Sequence, residues 1–290
     1  MKAVPSFEVL TPSSALEVVS ILAEDGEGRA TLYAGGTDLM PMMKRGKLSP
    51  RKVVDLSGVP ELSYVRFDGF FFRVGALTPI QDLAASPLIP SRLYSIRSLA
   101  DYFGSEATRH MATVGGNLAS GGERDIPLIL NSLDGEVKVV SAAGERTAKP
   151  SELNLRGDEL IVEAFFPDWG ERSFSWFAKF EKRASNGIGV VTAAVSLKME
   201  DDYVEKLRVV LNRVEGRTMG RVIGLEEELT GSRLSASTIR DAVENHVSRI
   251  RPSTDFRASS DFRKHVSKVL IRRGLEQCWK AVEGGRRHVG

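Results

Sequence analysis

Two double-glycine segments constrain this chain more than any other feature: Ala34-Gly35-Gly36-Thr37-Asp38 and Thr113-Val114-Gly115-Gly116-Asn117. Each follows an apolar stretch and precedes a polar side chain. A single Gly-Gly pair reads first as a turn, because glycine takes positive φ without steric penalty. Adjacent glycines also let successive backbone N–H groups converge on a concavity that suits an anion. Two pairs with matched flanks predict one pyrophosphate clasped from both sides, with Thr37, Asp38 and Asn117 hydrogen-bonding around it. A nicotinamide-type dinucleotide fold needs Gly-x-Gly-x-x-Gly between a strand and a helix. The nearest match, Gly187-Ile188-Gly189-Val190-Val191-Thr192, carries threonine at the third glycine and leads into a strand-like run. That match is weak.

Strands and helices alternate around these segments. Phe7–Leu10 is strand-like, and Ser14 with Glu17 reads as a capping box opening a helix that buries Ala15, Val18, Val19 and Leu22. Thr31–Ala34 is a short β-rich run, Leu39–Lys44 a short helix containing Pro41, and Lys52–Leu56 a strand. Tyr64–Phe67 and Phe70–Ala76 flank Asp68-Gly69 as a hairpin. Thr78–Ala85 and Leu93–Phe103 are predicted helices, Glu136–Ser141 and Glu159–Phe166 predicted strands. Ala112–Pro127, rich in Gly, Ser and Asn, is predicted to be a functional loop. Trp169–Arg172 is the best boundary. Beyond it, strands at Phe174–Phe180, Val190–Met199 and Leu207–Leu211 precede helices at Arg221–Leu229, Ala236–Asn245 and Asp261–Trp279, an α+β order.

A chain of 290 residues suits two domains, and 42% hydrophobic content with a net charge of +2 excludes a disordered chain. The longest largely apolar stretch, Ile188–Leu197, is about half of a membrane span. The N-terminal MKAVPSFEVLTPSS lacks the apolar run of a signal peptide, so a cytoplasmic location is expected. The single cysteine, Cys278, excludes an internal disulfide and any Cys-only cluster built from this chain. The four histidines are scattered, with no paired metal-ligand spacing. Redox chemistry would therefore need an organic cofactor or a partner. Residues 251–290 hold ten Lys/Arg against four Asp/Glu. Arg251, Arg257, Arg263, Lys264, Arg272 and Arg273 could meet nucleic-acid phosphate, but Val266, Val269, Leu270 and Trp279 space out as the buried face of a packed helix with a solvated charged side. No nucleic-acid partner is expected.

The segments AGGTDLMPMMKRGKLSPRKVVDLSGVPEL (34–62), RVGALTPIQDLAASPLI (73–89) and ATVGGNLAS (112–120) resemble the FAD-binding, medium subunit of the molybdenum hydroxylases. These are the xanthine dehydrogenase, carbon monoxide dehydrogenase and aldehyde oxidoreductase relatives. GLEEELTG (224–231) and DFRASSDFR (255–263) resemble the closing domain of the same subunit. The resemblance implies an α+β fold. A vanillyl-alcohol-oxidase (PCMH)-type FAD-binding domain would occupy 1–168, in subdomains of about 1–57 and 58–168. A smaller C-terminal α+β domain like that of the CO dehydrogenase flavoprotein, a three-stranded sheet plus helices, would occupy 172–290.

By the same resemblance, Leu32, Tyr33, Ala34, Gly35, Gly36, Thr37, Asp38 and Leu39 hold the diphosphate together with Thr113, Val114, Gly115, Gly116 and Asn117. Asp125 matches an acidic residue that receives ribose hydroxyl or flavin N–H donors; read alone, it is a solvated loop acid. Phe103 either stacks on the cofactor or packs in the core. Ile161, or Val162 one residue on, supplies an apolar contact. Lys179 matches a lysine on the flavin side, and Ile188 the residue that packs over the ring. Gly121-Gly122 stands where relatives have Ser-Pro, and Gly187-Ile188-Gly189 where they have Asp-Ile-Ala.

The function implied is electron transfer. FAD, held non-covalently, would receive electrons from [2Fe-2S] clusters of a small partner subunit, fed by a large molybdopterin-binding subunit, and pass them to NAD or another acceptor. The alternative is a self-contained FAD-dependent oxidoreductase of the same fold.

Overall fold

A computed structural model describes residues 6–25, 30–182, 189–212 and 219–286. The chain begins with β1 (Glu8–Leu10), α1 (Ala15–Asp25), β2 (Ala30–Tyr33), α2 (Leu39–Lys44) and β3 (Lys52–Asp55). These strands form a parallel sheet in the order β1-β3-β2, with α1 and α2 as the crossovers. Val18, Val19 and Leu22 of α1 are buried with Val54, Leu56 and Leu160. The capping box is half formed. Ser14 Oγ accepts from the Glu17 N–H at 3.2 Å, but the Glu17 carboxylate turns to the Ser13 N–H at 2.7 Å instead of Ser14.

Next come β4 (Val65–Phe67), β5 (Phe71–Gly75) and the short helices α3 (Ile80–Ala85), α4 (Tyr94–Arg97), α5 (Leu99–Tyr102), α6 (Glu106–Met111), α7 (Val114–Ala119) and α8 (Asp125–Ser132). β6 (Glu136–Ser141), β7 (Gly144–Ala148) and β8 (Leu160–Pro167) complete an antiparallel sheet ordered β4-β5-β8-β6-β7. The helix expected over Leu93–Phe103 is broken at Ser98, whose hydroxyl donates back to the Ser95 carbonyl at 3.0 Å and competes with the helical ladder. The loop expected over Ala112–Pro127 instead contains α7 and the start of α8. Its glycines are poor helix formers, but caps offset that. Thr113 Oγ1 accepts from the Gly116 N–H at 3.1 Å, and Asn117 Oδ1 from the Ile126 N–H at 3.1 Å.

The remaining elements are β9 (Ser173–Phe180), β10 (Val191–Glu200), β11 (Tyr203–Asn212), β12 (Met219–Arg221), α9 (Ile223–Leu229), α10 (Ala236–Val247) and α11 (Ser260–Arg286). The sheet here is four-stranded, β12-β11-β10-β9, not the three-stranded one expected. The added β12 is only three residues long and its neighbouring sequence carries no alternation, so pairing with Val210–Asn212 reveals it where pattern does not. One sheet face packs on α9, α10 and α11, where Val195, Leu197, Leu225, Ile239 and Ile271 are buried together. From the other face, Phe177, Ala194 and Val210 join the core of the five-stranded sheet and its helices. Arg263, expected on a solvated face, is 1% exposed. Its guanidinium donates to the Val190 carbonyl and, at 2.5 Å, to Asp255 Oδ1.

Long helix α11 lies across β9 and β10, and Gly274 sets how closely. A Cβ there would sit 2.6 Å from Trp176 Cε3 and 2.8 Å from Val195 Cγ2. Gly274→Ala is expected to destabilise the chain by about 1–3 kcal/mol through overpacking, read as a lower urea midpoint. Gly284→Ala, in the same helix with nothing within 4 Å, is expected to leave stability unchanged or raise it by up to about 1 kcal/mol.

Candidate functional site

The C-terminal end of β2, the N-terminal end of α7 and the start of β8 surround a cavity of about 480 Å³. Leu32, Ala34, Gly35, Gly36, Thr37, Asp38 and Leu39 line one side, with Thr113, Gly115, Gly116 and Asn117 opposite. Tyr33 is not among the lining residues, and Val114, 1% exposed, packs into the core instead. Gly36 has φ +66°, and a Cβ on it would fall 2.5 Å from the Tyr33 hydroxyl. Gly35 lies against α6: a Cβ would sit 1.6 Å from the Met111 carbonyl oxygen. The N–H groups of Gly35, Gly36, Thr37 and Asp38 donate to no acceptor among the described residues. Consecutive N–H groups left free at a cavity wall are what an anionic group such as a diphosphate requires.

The second glycine pair works differently from the expectation. Its N–H groups are already engaged, Gly115 with the Ala76 carbonyl at 2.7 Å and Gly116 with Thr113 Oγ1 at 3.1 Å. Only Gly36 of these four glycines has positive φ. Gly115 is needed for close approach, since a Cβ would meet Ala76 Cβ at 2.7 Å. Gly116 and Asn117 leave the wall low. Asp38 ties the two segments, its Oδ2 lying 2.8 Å from the Ser120 hydroxyl and 3.0 Å from an Arg124 guanidinium nitrogen.

Phe103 is 9% exposed within the core and also lines the cavity. Ile161 is a lining residue, together with Leu160 before it, and Val162 is not. The opposite wall adds Leu56, Leu77 and Leu155. Past Phe103, Asn117 and Arg124 a second cavity of about 170 Å³ continues, lined by Asp125, Lys179, Thr192 and Asn212. Asp125 is not a solvated acid. Lys179 Nζ donates to its Oδ2 at 2.8 Å and to the Tyr102 carbonyl at 3.1 Å. Burial pushes the Asp125 carboxyl above the usual range, against the pull of Lys179. Ile188 lies outside the described residues.

Sequence reasoning missed Arg124, Asn212 and Glu159. Glu159 lines the first cavity beside Leu155 with its side chain 1% exposed. Arg146 grips it with bonds of 2.7 and 2.8 Å, and the Arg156 N–H adds one of 2.9 Å. The Arg146 bonds, chiefly, hold its pKa down from 4.5 to about 2. An acid directly before an apolar strand, with Arg156 three residues earlier, was the available signal, but Arg146 arrives only through the β6–β7 hairpin.

The chain matches the model for the FAD-binding domain in molybdopterin dehydrogenase over residues 5–169 and that for the CO dehydrogenase flavoprotein C-terminal domain over 176–278. It is 26% identical to the carbon monoxide dehydrogenase medium chain of Hydrogenophaga pseudoflava, over 95% of this chain and 98% of that one. It is 28% identical to the nicotine 6-hydroxylase medium subunit of Paenarthrobacter nicotinovorans, over 98% and 99%. A solved structure of the Hydrogenophaga pseudoflava carbon monoxide dehydrogenase superposes with a TM-score of 0.89 at 25% identity, covering 97% of this chain and 99% of that one. Fold and cleft thus define an FAD-binding oxidoreductase subunit with a PCMH-type domain. The chain belongs to the family of FAD-binding medium subunits of the molybdenum hydroxylases.

The residues present fit FAD. The free N–H run suits its diphosphate, the apolar wall with Phe103 suits a flat ring, and the combined cavities fall within the usual size of cofactor sites.

The depressed Glu159 pKa fixes a pH signature. A carboxyl held below its unfolded value contributes stability above about pH 4.5, and that stability is lost as pH falls through about 2. Glu159→Gln is expected to cost about 2 kcal/mol at pH 7, the worth of hydrogen bonds to a charged group. The gap from the unsubstituted chain should narrow steadily when urea midpoints are compared below pH 4.5.

Proposed function

We propose that this chain is the electron-transferring flavoprotein of a three-part molybdenum hydroxylase, with an iron–sulfur subunit and a molybdopterin-binding subunit as partners. FAD, when bound, supplies the redox chemistry, taking electrons from partner iron–sulfur clusters and passing them to an external acceptor such as NAD. The relatives' names supply the partner chemistry: medium chains and medium subunits imply others. The observation that carries the reading is the run of four free N–H groups from Gly35 to Asp38 on the cavity wall.

In this reading Gly35–Leu39 receives the diphosphate, while Leu32 and Ala34 flank it. Thr113, Gly115, Gly116 and Asn117 form the facing wall, with Tyr33 and Val114 supporting from behind. Phe103 and Ile161 contact a ring, and Asp125 with Lys179 meets polar atoms beyond. Ile188 is assigned the ring face by family resemblance alone. Residues 1–168 form the FAD-binding unit and 172–290 the closing unit, in the cytoplasm. No helix among the described residues is long and apolar enough to cross a membrane. Neither cavity is lined by histidine or cysteine among the described residues, which supports non-covalent attachment.

The test replaces the second glycine of the first pair. Gly36→Val should reduce FAD binding by at least about tenfold, equivalent to 1.4 kcal/mol, because it closes the anion wall and forces a β-branched residue to positive φ. Bound flavin is read from its visible absorbance after gel filtration. Unchanged flavin content in a folded Gly36→Val chain would falsify the assignment. The FAD-loaded chain alone should hydroxylate neither an aldehyde nor a purine; turnover by it would favour a self-contained oxidoreductase.

A further inference from the structure

The smaller cavity holds a group that neither glycine segment accounts for. Asn212, at the end of β11, is 7% exposed and lines that cavity. Its Oδ1 accepts from the Thr192 N–H at 2.8 Å. This bond settles which way the amide points, because a backbone N–H must face the oxygen. Nδ2 then has no acceptor among the described residues, although the atom is buried. Buried amide donors in folded proteins are nearly always paired, so an orphan on a cavity wall marks where a ligand brings the acceptor.

Of the other polar groups on this cavity, Glu123 is an ion-pair partner of Arg257 at 3.8 Å, and two more are hydrogen-bonded. Lys179 Nζ is held by Asp125 Oδ2 and the Tyr102 carbonyl, and Asn117 Oδ1 by the Ile126 N–H. The free group is a donor, so the ligand atom facing it must be an acceptor. Both ends of FAD offer acceptors, ring nitrogens on adenine and carbonyl oxygens on the isoalloxazine edge; the Lys179 ammonium on the same cavity wall favours the isoalloxazine edge, which gains negative charge on reduction. The cavity opens from the larger one past Phe103 and Asn117, which both cavities share.

We propose that Asn212 is a cofactor-contact residue, donating through Nδ2 to a carbonyl of the isoalloxazine edge that reaches into the smaller cavity. The inference rests on the FAD-binding reading above and adds to it a hydrogen-bond donor that neither the motifs nor the resemblance supplied. Reduction places negative charge along that same edge, so a donor there favours the reduced cofactor over the oxidised one.

The full-length apoprotein and its Asn212→Asp and Asn212→Ala variants are titrated with FAD and, separately, with ADP, which lacks the ring. Asn212→Asp keeps an acceptor for the Thr192 N–H and removes only the donor. Asn212→Ala removes both without adding a charge, and thermal midpoints confirm that each variant is folded. Both variants are expected to bind FAD about tenfold more weakly, as for loss of one buried hydrogen bond, and ADP within about twofold of the unsubstituted chain. The midpoint potential of the bound FAD should move to more negative values in both. Equal losses for FAD and ADP would place the adenosine end at Asn212 or make its role structural, and overturn the proposal. Unchanged FAD affinity and potential in both variants would overturn it too. If the unsubstituted chain binds FAD, only this contact falls; if it binds none, the functional reading falls with it.

Discussion

The cleft depends on two places where main chain meets main chain without side chains between. Gly35 at the end of β2 rests on the Met111 carbonyl, and Gly115 at the start of α7 rests on Ala76 at the end of β5. The first contact joins the parallel three-stranded sheet to the helices beside it, and the second anchors those helices to the five-stranded sheet. Both approaches are closer than any Cβ allows. With them made, the free N–H run of Gly35–Asp38 faces the low wall of Gly116 and Asn117, and the Asp38–Arg124 pair latches the rim. The two apolar cores on either side, one around Val54 and Leu160 and the other around Leu99 and Phe166, are thereby held at the spacing the cavity has.

The site was legible in outline because its logic is local. A strand, two glycines and a polar pair mark Gly35–Asp38 in the sequence, whereas the choice of Ile161 over Val162 comes only from the cavity lining. What sequence did not carry is partnership. Gly115-Gly116 looks like a second anion loop, yet its N–H groups are consumed by Ala76 and Thr113. Both partners come from tertiary packing and capping. Glu159 and Asn212 are unremarkable as letters and become informative only when arginines gather on the one and none of the described acceptors reaches the other's Nδ2. Arg263 reverses its expected exposure for the same reason, because Asp255 and the Val190 carbonyl offer a buried guanidinium its hydrogen bonds.

The match to an FAD-binding domain over residues 5–169 is what equips the chain to hold an organic cofactor. Its single cysteine, Cys278, is buried under the sheet of β9–β12. The burial of Cys278 raises its thiol pKa far above the ordinary value, which keeps it an inert apolar side chain of the α11–β10 interface. The chemistry-bearing residues instead collect at the ends of strands from three sheets, around two cavities that share Phe103, Asn117 and Arg124.

Lys179 gives that meeting point a mechanical character. It belongs to β9 of the closing sheet, yet its ammonium is bonded to Asp125 of α8 and to the carbonyl of Tyr102 at the end of α5. One flexible side chain thus pins the last sheet to two helices that precede it by some fifty to eighty residues in the chain. Any tilt of the closing sheet against the helices is resisted at this pin and is transmitted to the polar end of the cleft.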